Sequence, residues 1–206
     1  MNSDEPNVAG LILAAGESSR MGFPKALLDY RGKTFLATLC DLFGQRCSSV
    51  IVVLGAHAER ISVAQEFPPV QGRVDTQHPK FVRNPRYRDG QTTSMQCGLH
   101  AVPPGAEGVL FTLVDHPAIS AAAIDALLAP PRPLLRVPRY RGRRGHPIWF
   151  SSRLIPEYLA LPPNGAARDV VRAHAAETEF LDIDDPGIVT DIDDPEAYRV
   201  LTEHVS

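Results

Sequence analysis

Three nearly uninterrupted apolar runs dominate the sequence: VAGLIL at residues 8–13, SSVIVVLG at 48–55 and GVLFTLV at 108–114. A strand with one face in water alternates apolar and polar residues, so runs without alternation belong to strands covered on both faces. Helical segments separate them. Thr34 can cap a helix in which Phe35, Leu36, Leu39, Leu42 and Phe43 recur at helical spacing before Gly44. A weakly patterned helix is expected over 58–66, with a turn at PPVQG, residues 68–72. Thr92 or Thr93 can begin a helix through Ser94, Met95, Leu99 and Ala101 that Pro103 and Pro104 stop, and Ser120 can cap an alanine-rich helix ended by Pro130 and Pro131. Strands alternating with helices imply right-handed crossovers and a parallel sheet.

Beyond residue 130 the pattern changes. LLRVPRYRGRRGHPIWF, residues 134–150, reads as two strands around a basic turn, with Trp149 and Phe150 in the core. Short helices follow around 154–161 and 166–175, then the strand TEFLDI and a last helix, DPEAYRVL. The expected fold is α/β: a three-layer, mostly parallel Rossmann-like sheet with helices on both faces and a small antiparallel insertion. One domain over residues 1–206 is expected, with residues 1–7 flexible. The motif DIDDP occurs at 182–186 and again at 191–195, too short an echo to define a repeat.

A net charge of -3 argues against nucleic acid as a partner, since phosphate-binding surfaces carry an excess of Lys and Arg. The start MNSDEPN lacks the basic and apolar regions of a secretory signal, and no apolar run reaches membrane-spanning length. Cys40, Cys47 and Cys97 are odd in number and show no metal-ligand spacing. A cytoplasmic protein with reduced thiols, without a membrane partner, is the expectation.

In open parallel sheets ligands bind beyond the carboxyl ends of the strands. AAGESSRMG, VDHP and TDIDDP each follow an expected strand, so they are expected to converge. In the first, Ala14, Ala15 and Gly16 let a backbone approach a ligand closely, Ser18 and Ser19 add hydroxyls, and Arg20 and Lys25 supply cations. These parts suit a polyphosphate cradle. A P-loop is excluded, because Gly16 and Gly22 are six apart and no Lys follows the second glycine directly, and the dinucleotide pattern GxGxxG is missing. On its own the loop reads equally well as a strand-to-helix turn with incidental charges.

LAAGESSRMGFPK closely resembles the signature of the MobA-like nucleotidyltransferases, loosely LAAGxSxRMGxxK. DGQTTSMQCGL, LVDHP, GHP, GAARDVV and DIDDPEAY resemble further family segments in the same order, so the resemblance covers nearly the whole chain. The later segments look most like the branch that joins CMP to molybdopterin. Guanylyltransferases of the group usually carry a second glycine where Ala15 stands, and by that resemblance a pyrimidine nucleotide, CTP, is favoured.

The resemblance implies roles. Asp115 of LVDHP and Asp193 of DIDDPE would hold Mg²⁺, with Asp191 in support; by residue chemistry alone Asp115 reads rather as a turn or capping residue. Asp194 stands where the family usually has Thr and suits a cap for the last helix. Arg20, Lys25 and Asp115 would carry catalysis, while Leu13, Ala14, Ala15, Gly16 and Ser18 hold the nucleotide together with Gly90, Gln91 and Ser94. His146 of GHP would contact the acceptor, although a lone histidine is ordinarily a structural hydrogen-bonding residue. His116 stands where many relatives have Gln, and its role stays open. Arg139, Arg141, Arg143 and Arg144 either attract the acceptor's phosphate or form a solvated hairpin tip.

The expected reaction is attack of the phosphate of molybdopterin on the α-phosphorus of CTP, releasing pyrophosphate, with a molybdoenzyme as a possible downstream partner. The alternatives are a nucleotidyltransferase using another NTP or a sugar or alcohol phosphate, and a non-catalytic nucleotide-binding protein that delivers cofactor. The acidic residues of the first DIDDP are expected to form a solvated turn.

Overall fold

The computed structural model describes residues 7–64 and 78–203. The expected end of the second helix, Glu66, the PPVQG turn and residues 1–6 of the expected flexible start lie outside these residues. The chain opens with β1 (Val8–Ala14), a two-residue hairpin β2 (Asp29–Tyr30) and β3 (Lys33–Thr34), and α1 (Phe35–Gly44). β4 (Ser49–Leu54), α2 (Ala58–Ala64), β5 (Lys80–Arg83), α3 (Gln91–Leu99) and β6 (Gly108–Leu113) follow, and then α4 (Ala121–Leu128). The last third holds β7 (Leu135–Tyr140), β8 (Arg143–Arg144), β9 (Ile148–Ser151), α5 (Ile155–Ala160), α6 (Ala167–Ala173), β10 (Thr178–Asp182) and α7 (Pro195–Glu203).

The main sheet has the order β10-β7-β9-β6-β1-β4-β5, with β8 paired to β7. β1 runs parallel to both β4 and β6, β4 to β5, and β10 to β7. β9 enters antiparallel between β6 and β7, placing the expected insertion within the sheet rather than beside it. Side chains of β1 alternate between two cores. Val8, Ile12 and Ala14 face α1, α2 and α4, whereas Ala9, Leu11 and Leu13 face α3, α5 and α6. Both sets are buried, which explains why the sequence of β1 shows no polar alternation. Fully burying each large aliphatic side chain contributes about 1.5–3 kcal/mol, so neither face can turn to water cheaply.

The caps form as their residue types require. The Thr34 hydroxyl accepts from the Ala37 N–H at 3.1 Å, and that of Ser120 from Ala123 at 3.1 Å. α3 starts at Gln91, one residue before the expected threonines, because Gly90 adopts φ +121° and Thr93 donates to its carbonyl at 2.8 Å. Two elements escape the apolar pattern. β5 is a four-residue edge strand, and the β2–β3 hairpin is set by Arg31 and Gly32, both at positive φ.

The first DIDDP differs from its expectation as a solvated turn. The Asp185 carboxylate accepts from the Ser120 N–H at 3.0 Å and from the Gly187 N–H at 2.8 Å, so it pins the start of α4 to the 186–189 turn. Both are charge-assisted bonds from backbone donors, stronger than neutral ones, and together they fix this segment against the start of α4. Arg136 is likewise structural: its buried guanidinium pairs with Glu179 at 2.8 Å and takes the carbonyls of Leu127 and Ala129 at the end of α4.

Candidate functional site

The carboxyl ends of β1 and β6 open on a cavity of about 270 Å³. The opening loop forms one wall. Ser18, at φ +51°, accepts from Met21 and Gly22 through its carbonyl and from the Lys25 N–H through its hydroxyl at 3.1 Å, folding the loop back on itself. This turn aims Lys25 inward. Gly55, at the end of β4, is required beneath the loop: an added Cβ would lie 2.6 Å from the Ala15 carbonyl oxygen. The Glu17 carboxylate reaches Arg88 at 3.0 Å and ties the loop to the segment before α3.

Asp115 leaves β6 at the cavity floor. The Ile192 N–H donates to the Asp115 carbonyl at 2.9 Å, and the buried Ile192 side chain anchors the second DIDDP beside it. Asp193 is thereby delivered to the same spot. The Lys25 ammonium lies 2.6 Å from Asp193 Oδ1 and 3.3 Å from Asp115 Oδ2, and Arg20 reaches Asp193 Oδ2 at 2.9 Å. The hydrogen bond from Lys25, reinforced by its charge and that of Arg20, holds the Asp193 carboxyl below the usual carboxylate range. Asp194 caps α7 by accepting from Ala197 at 2.9 Å.

Leu13, Ala14, Ala15, Gly16, Ser18, Gln91 and Ser94 line this cavity with Arg20, Lys25, Asp115 and Asp193. Gly90 stands behind Gln91 as the helix cap, and Asp191 lies outside the lining. Sequence reasoning missed Tyr87, which joins the lining, and Asn84. The buried Asn84 amide donates to Thr93 and Ser94 at 2.9 Å each, orienting the Ser94 hydroxyl. An isolated asparagine before an unpatterned segment carries no sequence signal of such a role.

His146 sits apart, on a second cavity of about 280 Å³ that also takes Gln91. Its ring lies 4.8 Å from that of His116 and 5.6 Å from that of Phe111. Burial, with the His116 ring adding to it, pushes the His146 imidazole down to about 3, so it is neutral near pH 7. His116 is lowered too, chiefly by burial, against the opposing pull of Asp115 and Asp191. Its Nε2 stands 3.8 Å from Asp115 Oδ1. His146 lines only the second cavity, and His116 lies behind it, outside both linings. Of the hairpin arginines, Arg139 pairs with Asp182 at 2.9 Å, and Arg144 reaches the second cavity.

Among the described residues no group of three or more His, Cys, Asp or Glu side chains is assembled to hold a metal. Two carboxylates are present, and Asp115 Oδ1 is buried without a hydrogen-bond partner. That set fits a divalent cation such as Mg²⁺, which commonly takes one or two carboxylates and completes its shell with water and substrate phosphates.

The profile of the MobA-like NTP transferase domain matches residues 10–178. The chain belongs to this family. It is 30% identical to the nicotine blue oxidoreductase of Paenarthrobacter nicotinovorans, over 97% of this chain and 99% of that one. It is 30% identical to the purine catabolism protein PucB of Bacillus subtilis, over 98% of each chain. The molybdenum cofactor cytidylyltransferase of Escherichia coli is 25% identical over 94% of each. Among solved structures, Rv0371c of Mycobacterium tuberculosis superimposes with a TM-score of 0.79 at 28% identity, covering 95% of this chain and 98% of that one. The family match carries the nucleotidyltransferase membership, and the superposition carries the Rossmann-like architecture. No helix among the described residues is long and apolar enough to cross a membrane.

Proposed function

We propose that this MobA-like nucleotidyltransferase moves a nucleoside monophosphate from an NTP, preferentially CTP, to the phosphate of molybdopterin, with Mg²⁺, releasing pyrophosphate in the cytoplasm. The observation that carries the reading is the bracketing of Lys25 by Asp115 and Asp193 beneath the opening loop. A cation-lined cavity with two converging carboxylates is an arrangement for polyphosphate and a divalent cation.

The reaction needs no covalent intermediate. An oxygen of the acceptor phosphate attacks the α-phosphorus, the α–β bridging P–O bond breaks, and pyrophosphate leaves with the bond's electron pair. The protein supplies position and charge. In this reading Leu13 to Gly16 and Ser18 lie along the triphosphate, Gly90, Gln91 and Ser94 take ribose and base, and Arg20 and Lys25 neutralise the leaving pyrophosphate. Asp115 and Asp193 would hold Mg²⁺, whose chemistry is to withdraw charge from the phosphate oxygens. The neutral His146 faces the acceptor, and Ala15 supports CTP through its resemblance alone.

The similarity to a nicotine blue oxidoreductase over 97% of the chain favours a second reading, a redox reaction on such a dye. One experiment separates them. Purified protein is incubated with Mg²⁺, molybdopterin and each NTP in turn while pyrophosphate is measured, and in parallel with nicotine blue and a hydride donor such as NADH while the absorbance of both is followed. Release of pyrophosphate with CTP is expected; turnover with another NTP alone would overturn the nucleotide choice, and a dye reaction without pyrophosphate release would overturn the transferase.

A further inference from the structure

The second cavity has a composition unlike the first. Phe111, Val137, Ile148, Phe150, Tyr158 and Val171 make its walls apolar, and Arg144 and Arg168 supply charge, yet no Asp or Glu side chain lines it. Neither arginine has a carboxylate partner among the described residues. Arg144 lies over the Phe180 ring at 4.6 Å, sharing that ring with Arg139 at 5.4 Å. Arg139 spends its charge on Asp182, while Arg144 keeps its own uncompensated. Stacking fixes the plane of a guanidinium and leaves its N–H edge available. Arg168 comes from the first turn of α6, across the cavity from the hairpin.

The remaining polar groups add no charge. His146 is neutral, and burial raises the Tyr158 phenol, which therefore stays protonated. A ligand body that touches these aromatic and aliphatic walls is itself largely apolar or aromatic, while any group reaching Arg144 and Arg168, both exposed, meets two cations. A neutral hydroxylated ligand such as a sugar leaves both cations uncompensated and buries its own hydroxyls against apolar carbon.

We infer that Arg144 and Arg168 are a specificity-determining pair that selects an acceptor with a ring body able to pack on these aromatic walls and a second anionic group, separate from the phosphate that reacts. This rests on the transferase reading in assigning the second cavity to the acceptor. The reacting phosphate enters past Gln91, which lines both cavities, and the second anionic group stays at the arginines. The pair thus discriminates against mono-anionic sugar and alcohol phosphates. It touches no reacting atom.

The test uses pterin-6-carboxylate and its neutral analogue 6-hydroxymethylpterin, with ligand fluorescence reporting binding to the full-length protein without nucleotide. The carboxylate is expected to bind at least about tenfold tighter, the low end for a charge-assisted hydrogen bond. Arg144→Gln and Arg168→Gln should each abolish most of that preference, Arg144→Lys should retain part of it, and Arg143→Gln, outside the cavity lining, should leave it intact. Circular dichroism checks that each variant folds. Equal affinities for the two pterins, a preference that survives both Gln variants, or an equal loss in Arg143→Gln would overturn the inference. Because binding is read without an NTP, a failure of pyrophosphate release would count against the transferase alone.

Discussion

The Lys25 ammonium bridges Asp193 and Asp115, at 2.6 and 3.3 Å, in the space a divalent cation would share with the same carboxylates. Only 12% of the Lys25 side chain is exposed, so two nearby carboxylates without it would face each other in a partly water-excluded pocket. If Asp115 and Asp193 hold the cation as proposed, lysine and metal compete for one pair of ligands, and a triphosphate that drew Lys25 away would make room for the cation.

The first prediction concerns that competition. In Lys25→Met the carboxylates lose their internal counter-cation, and Mn²⁺ should bind without nucleotide at least about tenfold tighter than to the unaltered protein, a difference of about 1.4 kcal/mol. Titration followed by the EPR signal of free Mn²⁺ measures it. The same variant should lose about 10²–10³-fold in pyrophosphate release, the cost typical of removing one group that stabilises transition-state charge.

Asp115→Asn tests the floor of the site. Lys25 meets Asp115 through Oδ2 at 3.3 Å and Asp193 more closely at 2.6 Å, so removing the Asp115 charge leaves no orphaned donor behind in Lys25. Pyrophosphate release should fall by at least about 10²-fold while the thermal midpoint falls by no more than a few degrees. Undiminished release would remove Asp115 from the catalytic set.

His146 predicts a pH dependence of folding. Its folded value is about 3 against an ordinary value near 6.5, so below pH 6.5 the unfolded chain takes up a proton that the folded chain refuses. Stability is full above about pH 6.5 and declines as pH falls toward 3, with about 2 kcal/mol lost between pH 7 and 5. Urea unfolding at both pH values checks this, and His146→Gln should reduce the difference, leaving the share contributed by the likewise lowered His116. The depressed Asp193 acts in another window: it adds stability above the unfolded carboxylate value and loses it only as pH falls through its lower folded value.

Asp185→Ala should destabilise the protein by about 1–2 kcal/mol, because the N–H groups of Ser120 and Gly187 lose their shared acceptor. Chemical denaturation reads the change. An effect within a few tenths of a kcal/mol would show that water replaces the carboxylate without cost.

Much of the architecture was legible because it depends on local chemistry. Unalternated runs such as Val8–Ala14 declare strands covered on both faces, and Thr34 and Ser120 cap helices where a hydroxyl can meet a free N–H. The members of the first cavity were legible as phosphate and cation chemistry, with their roles supplied by family resemblance. β5 was not, because four residues on a sheet edge, two exposed and two half-buried, carry too little periodicity. The two DIDDP copies are equally opaque as text: Asp185 pins α4, whereas Asp193 meets Lys25.

By itself, then, the sequence determined the three buried strands Val8–Ala14, Ser49–Leu54 and Gly108–Leu113, the helix starts at Thr34 and Ser120, and that a small-residue loop with Arg20 and Lys25 follows the first strand. Only the tertiary structure decided that Lys25 meets Asp115 and Asp193, 90 and 168 residues away, and that Arg144 and Arg168 share an apolar cavity without a carboxylate. The physical reason is range. Backbone preference and apolar periodicity act over one or two turns of chain, whereas strand order and the docking of Ile192 on Asp115 set which distant charges become neighbours.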